Sequence, residues 1–152
     1  MDYSTPRTPE YLKINPRGQV PSLTYGGQAI IESAVIAQFL ADSVEATHLT
    51  PRTGNVQAAF MRARLATFID TYFSMANKYY YRAIEAKTEE DADEVGKRYV
   101  EAVVKDVEPL LQDADPFFGG SNKLTMAEVI GSIPLSLEAA CFLCQTRKLT
   151  AR

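Results

Sequence analysis

The spacing of apolar residues along this chain changes character near residue 55. Before that point, short apolar runs alternate with turn residues. Asn15-Pro16-Arg17-Gly18 carries turn chemistry, because Pro16 fixes φ and Gly18 permits positive φ. Gln19 to Tyr25 then reads as a short strand, Gly26-Gly27 as a two-residue hairpin turn and Gln28 to Ile31 as the returning strand. Ahead of the turn, Pro9 to Ile14 is expected to make an irregular helical turn. Glu32 and Ser33 precede Ala34, Val35, Ile36, Phe39 and Leu40, whose spacing predicts a helix ending near Asp42.

From Ser43 to Asn55 the pattern is that of a loop, with Pro51 and Gly54 as breakers, and beyond it only helical periods remain. Met61, Leu65, Phe68, Ile69, Tyr72, Ala76, Tyr79 and Tyr80 recur every three or four residues and predict one long amphipathic helix from about Asn55 to Ala86. Thr88 with Asp91 opens a second helix, striped by Val95, Tyr99, Val103, Val107 and Leu111. Its acidic start, Glu89 to Glu94, lies where the helix dipole favours negative charge, which makes it a solvated helix start and not a metal site. Thr125-Met126-Ala127-Glu128 is a capping box for a third helix, with Val129, Ile130, Ile133, Leu137, Ala140, Cys141 and Cys144 on its buried side and Pro134 interrupting it. The expected organisation is a first domain over 1–43, a linker over 44–54 and an all-helical domain over 55–152.

Composition changes this picture mainly by exclusion. With 46% apolar residues the chain can bury a core, and a net charge of −3 with no basic run argues against a nucleic-acid partner. No apolar run approaches the roughly 20 residues that cross a bilayer, so no membrane partner is expected. The two cysteines fit reduced thiols in an intracellular chain. Their C-x-x-C spacing sits on a helix with no strand before it, which suits two small apolar side chains better than a redox pair. His48 falls in the loop and is expected to be solvated.

"NPRGQVPSL" followed by "IIES" resembles the glutathione-binding portion of cytosolic glutathione S-transferases, and "FFGG…LTMAEVIGSIP…LEA" resembles the start of the core helix of their second domain. "DPFFGG" with the Pro-containing helix after it is most similar to the omega class. The resemblance implies a partial thioredoxin-like α/β unit, a β-hairpin plus helix, followed by an all-α bundle. It also implies that the family's first strand and helix, with the thiol-activating residue, precede the point where this sequence starts, and that the last helices lie beyond the point where it stops. Tyr3 and Ser4 do not match the activating position, so no catalytic residue is assigned and conjugation by the chain as given is expected to be weak.

For the remaining site the resemblance implies glutathione as co-substrate, with no metal. Val20-Pro21 matches the family's cis-proline step, in which the Val20 backbone pairs with the cysteinyl portion of the ligand. Ser33 would meet the γ-glutamyl carboxylate at the helix start, Glu32 the glutamyl ammonium, and Gln19 the peptide backbone. Arg7 and Lys13 are weaker matches to a basic position, and solvation is the simpler role for both. Tyr79 and Tyr80 are candidates for the electrophile pocket, although with Tyr81 adjacent the three cannot share one face. The implied partners are glutathione, a small hydrophobic electrophile or disulfide, and a second copy in a homodimer, in the cytoplasm. The alternatives are a non-catalytic dimerisation or scaffold module, or an incomplete version of an enzyme sequence. A hairpin without neighbouring strands is expected to leave the chain marginally stable as a monomer, with the first forty residues mobile or paired with another molecule while the helical part holds its structure.

Overall fold

The computed structural model describes residues 7–44, 47–52 and 54–131. The expectations for Tyr3, Ser4, Pro134, Cys141 and Cys144 lie outside the described residues. The chain divides into two compact units, Met1–Thr47 and His48–Arg152.

The first unit is built around a hairpin. Helix α1, Pro9–Ile14, starts with Thr8, whose hydroxyl accepts a hydrogen bond from the Tyr11 amide, and it carries proline in its first turn, where no amide partner is lost. Strands β1, Ser22–Tyr25, and β2, Gln28–Ile31, pair antiparallel in the register Ser22↔Ile31 to Tyr25↔Gln28. Gly26 and Gly27 both hold positive φ, 57° and 78°, as a two-residue turn that matches strand twist requires. The strand is shorter than the expected Gln19 to Tyr25, because Gln19 to Pro21 is taken up by irregular backbone with a cis Val20–Pro21 bond. Helix α2, Ser33–Ser43, buries Ile36 and Ala41, and Phe39 brings its ring to 5.3 Å from that of Tyr25.

In the second unit, the expected long helix is a continuous helical run with a change of winding inside it. Helix α3, Val56–Thr71, passes through a π-type turn at Tyr72–Ala76 into α4, Asn77–Glu85. Asn55 caps it, accepting from the Ala58 amide at 2.8 Å. Helix α5, Glu89–Ala102, repeats the design: Thr88 accepts from the Asp91 amide at 3.1 Å, Glu89, Glu90 and Asp91 occupy its first turn, and it too winds into a π-type turn, Val103–Val107, before a 3₁₀ turn at Glu108–Leu111. The two π-type turns lie against each other. An extra residue in a helical turn rotates the faces of all later turns, which periodicity alone does not reveal. Helix α6 starts at 126 and runs to 131, the last of the described residues. Leu65, Phe68, Tyr72, Ala76, Val107, Phe118, Met126, Ala127 and Ile130 form the core.

The loop before α6 is tied down by charge and by ring packing. Phe118 packs its ring 5.4 Å from that of Phe68, and the Arg64 guanidinium sits 5.1 Å above the Phe118 ring. The same guanidinium makes a two-pronged pair with Asp113, at 2.6 and 2.7 Å. Gly119 adopts φ +67°, and a methyl group there would lie 2.2 Å from the Met61 methyl. The hydrogen bonds from Arg64 hold the Asp113 carboxyl below its ordinary value. A carboxylate with a lowered folded-state pKa stabilises the fold above its unfolded value, and that contribution disappears as the pH falls through the folded one. The melting-temperature difference between wild type and Asp113→Asn should therefore be small, as for any exposed pair, constant near neutrality, and vanish on acidification below about pH 4. A difference that persists unchanged at pH 2.5 would assign Asp113 a role other than pairing with Arg64.

Candidate functional site

The segment between α1 and β1 is a closed loop with a polar interior. Asn15 is only 2% exposed, and every polar atom of its side chain is used. Its amide nitrogen donates to the Gln19 carbonyl at 2.7 Å and to the Ser22 hydroxyl at 3.2 Å, while its carbonyl oxygen accepts from the Arg17 amide at 3.0 Å. The Tyr11 hydroxyl lies 2.5 Å from the same Gln19 carbonyl and 2.9 Å from the Ser22 hydroxyl. These contacts are consistent with a single proton arrangement: Ser22 donates to Tyr11, Tyr11 donates to Gln19, and Asn15 donates to both Gln19 and Ser22. Arg7 closes the other side by donating from Nε to the Gly18 carbonyl at 2.9 Å, so it is a bracket for the turn instead of the solvated cation expected of it. Lys13 is exposed at the end of α1.

Val20 comes directly after this loop, is 43% exposed, and among the described residues its backbone N–H and C=O make no hydrogen bond within the protein. Gln19 and Pro21 are exposed on either side of it. Glu32, just before α2, has φ 73° and ψ 122°, a conformation that costs a non-glycine residue of order 1–3 kcal/mol and that collects at functional sites. Its carboxylate meets Arg17 Nη1 at 2.5 Å, an exposed pair. Glu32 makes no side-chain cap, so α2 opens with Ser33 exposed and with its first amides free of protein acceptors among the described residues. A helix start of this kind favours an anion. Gln19, Val20, Pro21, Glu32 and Ser33 thus all lie on exposed parts of the first unit. Asn15, Tyr11 and Arg17 carry no site signal in the sequence; "NPRG" signals a turn, but nothing in it reveals that Asn15 is buried.

The tyrosines of α4 separate as their neighbouring positions require. Tyr81 is exposed, and Tyr80 is half-buried with its ring 5.3 Å from that of Tyr81. Tyr79 lines a cavity of about 380 Å³ shared by α4 and α5, but Arg82, Glu85, Lys87, Asp91, Glu94 and Arg98 also line it. That cavity is far more charged than the apolar pocket expected for a hydrophobic electrophile. Lys78 and Arg82 lie 5.2 and 5.9 Å from the Tyr79 ring centre. His48, with φ 53°, is exposed. Among the described residues, no helix is long and apolar enough to cross a membrane.

Residues 2–43 match the glutathione S-transferase N-terminal domain. Protein LigF of a Sphingobium species is 39% identical over 69 residues, which is 41% of this chain and 24% of that protein. Among solved structures, the glutathione transferase URE2P6 of Phanerochaete chrysosporium, in complex with oxidized glutathione, is 23% identical with a TM-score of 0.66, over 90% of this chain and 63% of that one. Glutathione transferase Omega 3C of Trametes versicolor is 22% identical, TM-score 0.64, over 88% and 55%. Rice GST1, in complex with glutathione, is 25% identical, TM-score 0.63, over 82% and 56%. The chain therefore spans about a quarter of that curated relative and 55–63% of these solved structures.

The fold is that of the glutathione S-transferases: a hairpin and helix of the thioredoxin-like type, then a helical region. Residues 2–43, within the first unit, resemble the N-terminal domain of that family.

Proposed function

We propose that the chain is glutathione-transferase-like, binds glutathione on its first unit and in complete form performs glutathione conjugation or thiol transfer, with omega-like character. The observation that carries this reading is the pairing of an unused Val20 backbone with a strained Glu32 and a free-ended α2 within one small unit. Glutathione presents complementary groups: an extended cysteinyl backbone for Val20 to pair as a strand edge, and a γ-glutamyl carboxylate for the Ser33 hydroxyl and amide. Glu32 would meet the glutamyl ammonium, and Arg17 would lose or share its partner when it does. The glutathione complexes of rice GST1 and URE2P6 support the ligand's identity by analogy of fold. A cytoplasmic homodimer acting on a small hydrophobic electrophile or disulfide belongs to the same reading, with Tyr79 and Tyr80 as pocket candidates. The linker at 44–54 and the domains on either side of it complete it.

Calorimetric titration of glutathione into the chain should give saturable binding. Ser33→Ala should weaken it about ten- to hundredfold, the range for one hydrogen bond to a charged group, while leaving the melting temperature nearly unchanged because Ser33 is exposed. Binding that is absent in the wild type, or indifferent to Ser33, would remove the reading.

A further inference from the structure

The loop interior around Asn15 has a directional consequence for Val20. The Gln19–Val20 peptide is trans, since the cis bonds among the described residues are Val20–Pro21 and Asp115–Pro116. In a trans peptide the carbonyl and the next N–H point in opposite directions. The Gln19 carbonyl is held toward the loop interior by two donors, Asn15 Nδ2 and the Tyr11 hydroxyl, and the Val20 N–H is thereby turned away from it, where it makes no hydrogen bond among the described residues. Ser22 ties both donors together, so neither can turn without breaking a second bond.

We infer that Asn15 and Tyr11 are positioning residues that aim the Val20 N–H at the cysteinyl carbonyl of a γ-glutamyl-cysteinyl ligand. The inference rests on the proposed glutathione binding and adds to it the part of the ligand through which these residues act. Neither residue touches the ligand; each acts by holding one peptide plane. Loss of either donor frees the plane to rotate, so the ligand must order it on binding.

The test compares two ligands. Glutathione has the cysteinyl carbonyl, while γ-glutamylcysteamine keeps the γ-glutamyl group and the thiol but lacks that carbonyl. Affinities of both are measured for the wild-type chain, for Asn15→Asp, which keeps the acceptor for the Arg17 amide but exchanges the donor for a repelling oxygen, and for Tyr11→Phe, which removes a single hydroxyl and keeps the ring. Each variant should lose about tenfold in affinity for glutathione, the size of one buried hydrogen bond, and less than about twofold for γ-glutamylcysteamine. Tyr11→Phe keeps the ring, so the comparison remains possible if Asn15→Asp unfolds the loop. Equal losses for the two ligands would mean that the residues merely maintain the fold, and no loss for glutathione would mean that the plane is held by other means; either result overturns the inference while the glutathione reading stands. No glutathione binding by the wild-type chain removes that reading, and the inference with it.

Discussion

Phe118→Ala should destabilise the helical unit by about 3–5 kcal/mol, the range for removing a buried aromatic ring. Phe118 is 1% exposed and opens the 3₁₀ turn Phe118–Gly120, outside the α-helices, yet it fills the space beside Phe68 and under the Arg64 guanidinium. Truncation forfeits the apolar transfer and the ring contacts, and it strips the Arg64 guanidinium of the ring below it. Urea unfolding monitored by circular dichroism measures the effect, and the melting temperature should fall by about 10 °C or more. Phe60→Ala, at a ring that is 58% exposed on α3, is the control and should stay within about 0.5 kcal/mol. Similar small losses in both variants would show that the loop is not a keystone of this core.

Glu128→Ala should cost about 2–4 kcal/mol, more than an ordinary helix cap. The carboxylate of Glu128 accepts from the Thr125 amide at 2.7 Å, from the Thr125 hydroxyl at 2.8 Å and from the Phe118 amide at 2.8 Å. The first contact is the return arm of the capping box whose forward arm, in this structure, runs from the Ala127 amide to Thr125. The Phe118 contact joins the start of α6 to the loop ten residues upstream. Removing the carboxylate leaves donors in partly buried surroundings with no acceptor, and an orphaned donor costs more than a hydrogen bond contributes. Thr125→Ala removes the hydroxyl but spares the Phe118 contact, so it should cost about 1 kcal/mol. If the two variants were equally destabilised in urea, the bond to Phe118 would contribute nothing and α6 would depend on its cap alone.

These two residues also mark where the sequence is legible. "TMAE" is readable because a capping box is local: the hydroxyl and the carboxylate lie three positions apart, and their chemistry names the helix start. The hairpin turn at Gly26-Gly27, the helix start at Ser33 and the cap at Thr88 are local in the same sense, and these elements begin at or next to their signals. The cis bond at Val20–Pro21 is expected only through resemblance to a family, since spacing alone favours the commoner trans form. The apolar period changes near residue 55, and the packing separates Met1–Thr47 from His48–Arg152.

What the sequence by itself determined, then, is the type of the hairpin and of the α-helices and the starts that carry a cap or a turn signal, because propensity, capping and turn chemistry act over a few residues, whereas β1 begins at Ser22 and not at Gln19. Only the tertiary structure decided which polar residues go inside. Asn15 is buried because the carbonyl of Gln19 and the hydroxyl of Ser22 close on it, and an amide side chain can be buried only where partners from other positions complete its bonds. The π-type turns at Tyr72–Ala76 and Val103–Val107 arise where two helices meet, so no single stripe of apolar residues encodes them. The charged cavity beside Tyr79 is invisible in the sequence for the same reason: its walls come from two helices, and the burial of a ring or the pairing of a charge depends on which faces meet.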